Sequence, residues 1–517
     1  MSALNEALFV FSLKSFVQLP GDCLREIFEN LSGDIRTLRH LLLVNRLWCE
    51  TVVPILWRNP FKLKRLYNFD QGFWTTITRT LLSCLPEESI ILFKHNGINP
   101  PNILLDEKSG DRKLALFDYF GFCQNISCQD IYEIIPEVLG SEHPTDITWF
   151  HNGNLVENEL WKLFMSRCST IKYLEIPNIS IDYYTNIKKD STCLANLVEL
   201  ECSTYKSSQL FLDLAQMCNN IKKITVNLCD HDNEGLVSLI SMQKGLEEIV
   251  LISSSEGSQC NLIGEAIGTQ YPSLTSISLE EHICIPSTSF PKLINLKHIR
   301  IDLEENVNSK MELLDNCSFP LLESLEIRNV NEKYLDLYTK LINNTNGSLK
   351  HLEIDTVPHP YLNHIKPYWK TLIKHCTRLE LVTLWFKDDS LNDLKNLLTT
   401  CGSKMKGMIF EAVLGPFSWR PLDLNPIFEV LVELIGGNGT IEELHFSGTW
   451  IFSAKDLRKF LSLWGKKNLI KESDYKDHRK ISKPLYFSAK VDFQLSKEIF
   501  DIFEEFVDNG VLKGWSR

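Results

Sequence analysis

Apolar residues fall at a recurring spacing along most of this chain. The pattern L-x-x-L-x-L, with any apolar residue at the L positions, begins at Ile171, Leu197, Ile221, Leu246, Leu274, Leu296, Leu322, Leu349, Leu379, Met405 and Ile441. The ten intervals are 26, 24, 25, 28, 22, 26, 27, 30, 26 and 36 residues, averaging 27. One such hexapeptide means nothing, but eleven at near-constant spacing are an internal repeat. Each hexapeptide predicts a short strand with its first, fourth and sixth residues in the core. Between strands the spacing predicts helices, as over Gln209–Cys218 and Leu391–Thr400. One strand and one helix per repeat, stacked side by side, predict an α/β solenoid over residues 147–449.

The repeat resembles the leucine-rich repeat, whose period is 20–29 residues. That family usually places Asn or Cys three residues past the last strand leucine. Here Cys229 alone does so, while Tyr205, His282, Val357 and Lys387 stand elsewhere. An insertion around Leu414–Trp419 lengthens the last interval, and beyond Thr449 the pattern fades. The mixed-charge stretch Lys466–Lys483 precedes a helical stripe of Leu495, Ile499, Phe503 and Phe506, so residues 450–517 are expected to form a C-terminal cap.

The N-terminal part has a different period. After a tail over residues 1–15, Leu24, Ile27, Phe28 and Leu31 fall at i, i+3, i+4 and i+7, one stripe of a helix. Pro20 suits its first turn and Ser32-Gly33 its end. Asp34 is the expected N-cap of a second helix carrying Leu38, Leu41 and Leu42. A third, from about Asn45, carries Trp48 and Val52 and is expected to stop near Pro54.

Across residues 16–61 the order Leu19-Pro20, Leu24, Ile27, Leu31, Leu38, Val44, Trp48 and Leu56-Trp57 resembles the F-box. The wording LLVNRLWCE…ILWRN is also similar to a large fungal F-box family. The resemblance implies that these helices hook onto the Skp adaptor, and through it a cullin, in a ubiquitin ligase. Leu19, Pro20, Leu24, Ile27, Leu31, Val44, Trp48, Leu56 and Trp57 are the implied adaptor contacts. An F-box followed by leucine-rich repeats implies a substrate receptor that does no covalent chemistry. The alternatives are a Skp-binding scaffold outside any ligase, and an enzyme hidden in the linker at residues 62–146.

That linker is expected to be helical, as over Gln71–Leu85, and broken at Pro100-Pro101 and Gly110. Its run His95–Leu105 followed by Asp118-Tyr119-Phe120-Gly121 resembles a kinase catalytic loop and metal-binding turn. Gly97 stands where the base Asp belongs, Tyr119 interrupts the Asp-Phe-Gly turn, and no Gly-rich loop precedes it. Neither catalytic residue nor cofactor is expected. His359, His364, His375 and Cys376 match no metal spacing, so no metal is expected either.

Composition changes the picture in three ways. Apolar content of 44% and charged content of 23% are ordinary for a folded chain. The net charge of −12 leans away from nucleic acid as a partner. The 15 cysteines lack any CxxC pairing, which fits a reducing compartment, cytoplasmic or nuclear. No stretch approaches the ~20 apolar residues of a membrane span, and the N-terminus does not read as a signal peptide.

Charge also marks a face. The third, fifth and seventh residues of each copy should line the concave side of a solenoid. Among those 33 sites stand eleven acids, Glu326, Glu353 and Asp355 among them, and three bases, Lys223, Arg300 and Arg328. The expected target is therefore a protein with a basic segment. Glu326, Glu353, Asp355 and Arg300 are its candidate contacts, with Trp385, Leu381 and Ile409 as apolar anchors.

Overall fold

The computed structural model describes residues 19–61, 71–98, 115–140, 147–176, 192–303, 314, 317–330, 335–356, 365–413, 420–434, 440–467, 484–491 and 496–516. They fall into two compact units, Met1–Cys202 with Asp213–Ile221, and Ser203–Leu212 with Lys222–Arg517.

The first unit opens with three short helices, α1 (Gly21–Glu29), α2 (Ile35–Leu41) and α3 (Arg46–Leu56). The Asp34 side chain accepts from Thr37 N at 3.1 Å, so the cap read from the sequence is in place, and the Asn45 side chain accepts from Trp48 N at 2.9 Å at the start of α3. Pro54 does not end α3, which runs two residues further. A proline ring so near a helix end disturbs little more than the final turn. Leu24, Phe28, Leu38, Val52 and Ile55 form the core of the three helices. Leu31, Leu41, Leu42, Leu47, Trp48 and Leu56 pack partly against it. Phe28 meets Trp48 edge-on at 5.2 Å, and the Arg58 guanidinium grips Glu29 with both Nη atoms.

Helices α4 (Gln71–Ser83), α5 (Glu87–His95), α6 (Tyr119–Phe122), α7 (Cys128–Leu139) and α8 (Ile147–Arg167) follow. The region read as helical linker also holds a strand, β1 (Asn125–Ile126). It pairs in parallel with β2 (Tyr173–Glu175), and β2 with β3 (Glu199–Ser203).

In the second unit, parallel strands follow one another in chain order: β4 (Lys223–Asn227), β5 (Glu248–Ile252), β6 (Ser276–Glu281), β7 (His298–Leu303), β8 (Ser324–Val330), β9 (His351–Thr356), β10 (Leu381–Phe386) and β11 (Gly407–Ala412). A small side pair, β12 (Leu422–Asp423) and β14 (Trp450–Ile451), flanks β13 (Glu443–Gly448). The main order then continues through β15 (Leu485–Val491) and β16 (Leu512–Ser516). Parallel strands in sequence order, with a helix or 3-10 turn described between most neighbours, are the arrangement of a leucine-rich-repeat solenoid.

Every first, fourth and sixth residue of the eleven hexapeptides is buried, from Ile171, Leu174 and Ile176 to Ile441, Leu444 and Phe446. Neighbouring strands hold these residues in exact register, as in Ile249–Ile277–Ile299–Leu325–Leu352. The parallel order does not stop where the hexapeptide count stops. On β15 the register partners of Leu444 and Phe446 are Phe487 and Ala489, both buried, so the first position of that copy is Pro484, which a count of apolar anchors passes over.

Several strands end the same way. The residue seven after the anchor is left-handed in four copies: Leu228 at φ 54°, Glu281 at 65°, Asn329 at 57° and Gly448 at 91°. Only the last is glycine, so three copies hold a side chain where L-residues are strained. Close approach explains Gly235, at the start of helix Glu234–Met242. A Cβ there would lie 2.0 Å from the Ser208 carbonyl oxygen.

Candidate interaction surfaces

The three N-terminal helices sort the motif residues into two sets. Leu24 and Leu38 are buried, so Leu24 is a core residue and not an adaptor contact. Leu31, Trp48, Leu56 and Trp57 are half-buried, Trp57 against Tyr119 at 4.4 Å. Leu19 (46% exposed), Ile27 (47%) and Val44 (53%) stay open to solvent, and Pro20 is exposed beside them. Leu43, which the motif does not single out, is the most exposed of all at 85%. Four aliphatic side chains left outside so small a core are the feature a partner would cover.

The kinase-like residues are placed otherwise. Tyr119-Phe120-Gly121 lies in the helical turn α6, with Phe120 buried on Phe164 at 4.5 Å, and Asp118 faces Arg167 at 3.6 Å. Residues 99–105 of the loop-like run lie outside the described residues, as does the insertion at 414–419.

On the repeats, the third and fifth residues of most hexapeptides, with the residue that follows the sixth, lie off the buried set and form the helix-free face of the sheet; Ser278, Thr383 and Gly407 are the buried exceptions among the third and fifth. In the second unit this face is a ladder of charge. Lys223 meets Glu248 at 2.6 Å on the adjacent strand. Arg300 Nη2 lies 2.9 Å from Asp302, Nη1 3.5 Å from Glu326, and Nε 3.9 Å from Glu280. Arg328 Nη2 reaches Glu326 at 2.7 Å and Glu353 at 3.1 Å. Glu326 and Glu353 are register partners on β8 and β9, side by side as their repeat positions require. Asp355 is exposed. All three bases on the face therefore engage its own acids. Cross-strand arginines relieve the repulsion that paired glutamates would otherwise feel.

Trp385 is not an anchor on this face. It is 1% exposed, its ring 4.8 Å from Tyr368, and its carbonyl accepts from Trp369 Nε1 at 3.0 Å. Tyr368 on helix Ile365–His375 packs against it, although β10 keeps its parallel register with β11 from Leu381 through Phe386. Leu381 and Ile409 are half-buried.

No family model matches the chain, and comparison with curated proteins finds no match. Among solved structures it is similar to the leucine-rich repeat-containing protein LegL7 from Legionella pneumophila. The identity is 10%, over 58% of this chain and 99% of that one, with a TM-score of 0.29. The repeat architecture rests on this chain's own strand order and register. Among the described residues, no helix is long and apolar enough to cross a membrane.

Sequence spacing missed one grouping. Cys229, Cys260 and Cys284 converge from three consecutive repeats, with their sulfurs all within 4.8 Å of one another. Their separations of 31 and 24 residues carry no local motif; the signal was one cysteine shortly after each of three successive strands.

Proposed function

We propose that this chain is a non-catalytic receptor that holds a target protein on its repeats and docks to the Skp adaptor of a cullin ubiquitin ligase through its N-terminal helices. The observation that carries the reading is the sorting of the F-box-like residues. Leu24 and Leu38 supply the core, while Leu19, Ile27 and Val44 remain outside it. A stretch conserving only internal packing would have no reason to expose three aliphatics. The repeats supply the second half, because an open parallel face of ordered polar side chains suits protein recognition. The scattered, odd-numbered cysteines of the sequence favour a reducing compartment, cytoplasmic or nuclear.

The test is affinity purification of the full chain from cells, followed by mass spectrometry. The adaptor and a cullin should both be recovered. Adaptor without cullin would favour a scaffold outside a ligase, and absence of the adaptor would overturn the reading. Incubation with labelled ATP should give no turnover; turnover would reinstate an enzyme in the linker.

A further inference from the structure

We propose that Cys229, Cys260 and Cys284 form a buried three-thiolate site for one thiophilic d10 metal ion, Cu(I) or Zn(II). The cysteines are 0%, 0% and 3% exposed. They follow β4, β5 and β6, at eight, fourteen and ten residues beyond the anchors Ile221, Leu246 and Leu274. Three different offsets arriving at one point are not one repeat position reused. Of the three, only Cys229 occupies the place where this repeat type ordinarily sets a turn-binding Asn or Cys.

Backbone hydrogen bonds fix the loops that carry them. Cys229 N donates to Ile252 O at 2.7 Å, and Cys260 N donates to Cys284 O at 2.8 Å. Cys260 is the N-cap of helix Asn261–Thr269, where the backbone dipoles favour negative charge. The Sγ atoms of Cys229 and Cys260 are 3.7 Å apart. A metal–sulfur bond of about 2.3 Å in a trigonal plane needs sulfurs about 4 Å apart, and the cluster is within a small adjustment of that spacing.

On binding, each thiol still protonated releases its proton to solvent as its sulfur bonds the metal, and nothing is oxidised or reduced. Thiolate ligands select soft ions. No fourth His, Cys, Asp or Glu joins the three among the described residues, which suits Cu(I) in a trigonal plane, while Zn(II) would take water as its fourth ligand.

The experiment uses the full chain, purified anaerobically from cells grown with added copper or added zinc. About one ion per chain is expected from one of the two cultures, and which culture gives it identifies the ion. Cys284→Ser should lower that content at least tenfold. Cys376→Ser, a buried cysteine outside the cluster, should keep it. Adding Cd(II) to reduced, metal-stripped wild type should give a thiolate charge-transfer band, which remains informative if Cys284→Ser fails to fold. Under a tenth of an ion per chain from both cultures, no such band, or equal metal in Cys284→Ser overturns the proposal. So does a Cys229–Cys260 disulfide in the anaerobically purified chain.

Discussion

The sorting of the N-terminal motif can be tested by changing the outer set and leaving the inner one intact. Ile27→Ala with Val44→Ala removes two aliphatic side chains that are 47% and 53% exposed. Full burial of such a side chain is worth about 1.5–3 kcal/mol, and roughly half of that remains to be gained when a partner covers them. Together the two should contribute about 1.5–3 kcal/mol to docking, a weakening of roughly 10- to 150-fold. Folding should change by no more than about 0.5 kcal/mol, because both sites are exposed and alanine suits the interior of α1. Leu24→Ala should behave in the opposite way. It opens a cavity in the three-helix core and should cost about 2–5 kcal/mol of stability. Titration calorimetry against purified Skp adaptor, with thermal melting of each variant, separates the two effects. Adaptor affinity within twofold of wild type for the double variant, with its fold intact, would refute the assignment of the outer set.

Four further outcomes follow from local geometry. Gly235→Ala should destabilise the second unit by about 1–3 kcal/mol in chemical denaturation, since the new Cβ meets a backbone oxygen and the contact outweighs alanine's helix preference; an unchanged midpoint would contradict it. Glu281→Gly should raise the melting temperature, because relief of left-handed strain of about 1–2 kcal/mol exceeds glycine's entropy cost of about 0.5–1 kcal/mol. Arg58 holds the Glu29 carboxyl below its ordinary value, chiefly by their hydrogen bond, so the pair's contribution is present above the carboxylate range and lost as pH falls through the lowered value; Arg58→Met should flatten that acid limb of the stability profile. Arg300→Gln with Arg328→Gln should speed association of a lysine-rich peptide at low salt and leave the rate unchanged at high salt, which stopped-flow measurement would show.

The repeat was legible because its demand is local and repeated. A parallel strand covered by helices on one side needs apolar side chains at alternate positions, and the first, fourth and sixth residues of every copy are buried accordingly. Other features depend on what arrives from far along the chain. Nothing near Leu24 distinguishes it from Ile27, since both lie on one stripe. The division into buried and exposed is made by Val52 and Ile55 on α3. Trp385 occupies an outward position by count, yet helix Ile365–His375 lies over it. Strand β15 escaped because Phe487 and the small Ala489 hold its core positions and Pro484 stands where an apolar first residue would. The cysteine cluster escaped because its members are brought together only by stacking of the repeats.

The same distinction changes what an acidic face means. Counted along the sequence, acids outnumber bases eleven to three, and the face reads as an open attractor for positive charge. Folding places the two arginines between the carboxylates of neighbouring strands, each shared by at least two. The guanidinium is a rigid planar donor, so sharing it fixes the carboxylates as well as neutralising them. A partner guanidinium would have to displace one held in place at no cost in translational freedom. A partner with ammonium groups need not compete for those seats, because the remaining excess of negative charge acts at a distance. The ordered middle of the face would then set the geometry of binding and the net negative charge of the face the rate. On that division, a lysine-rich segment is the better match for this surface than an arginine-rich one.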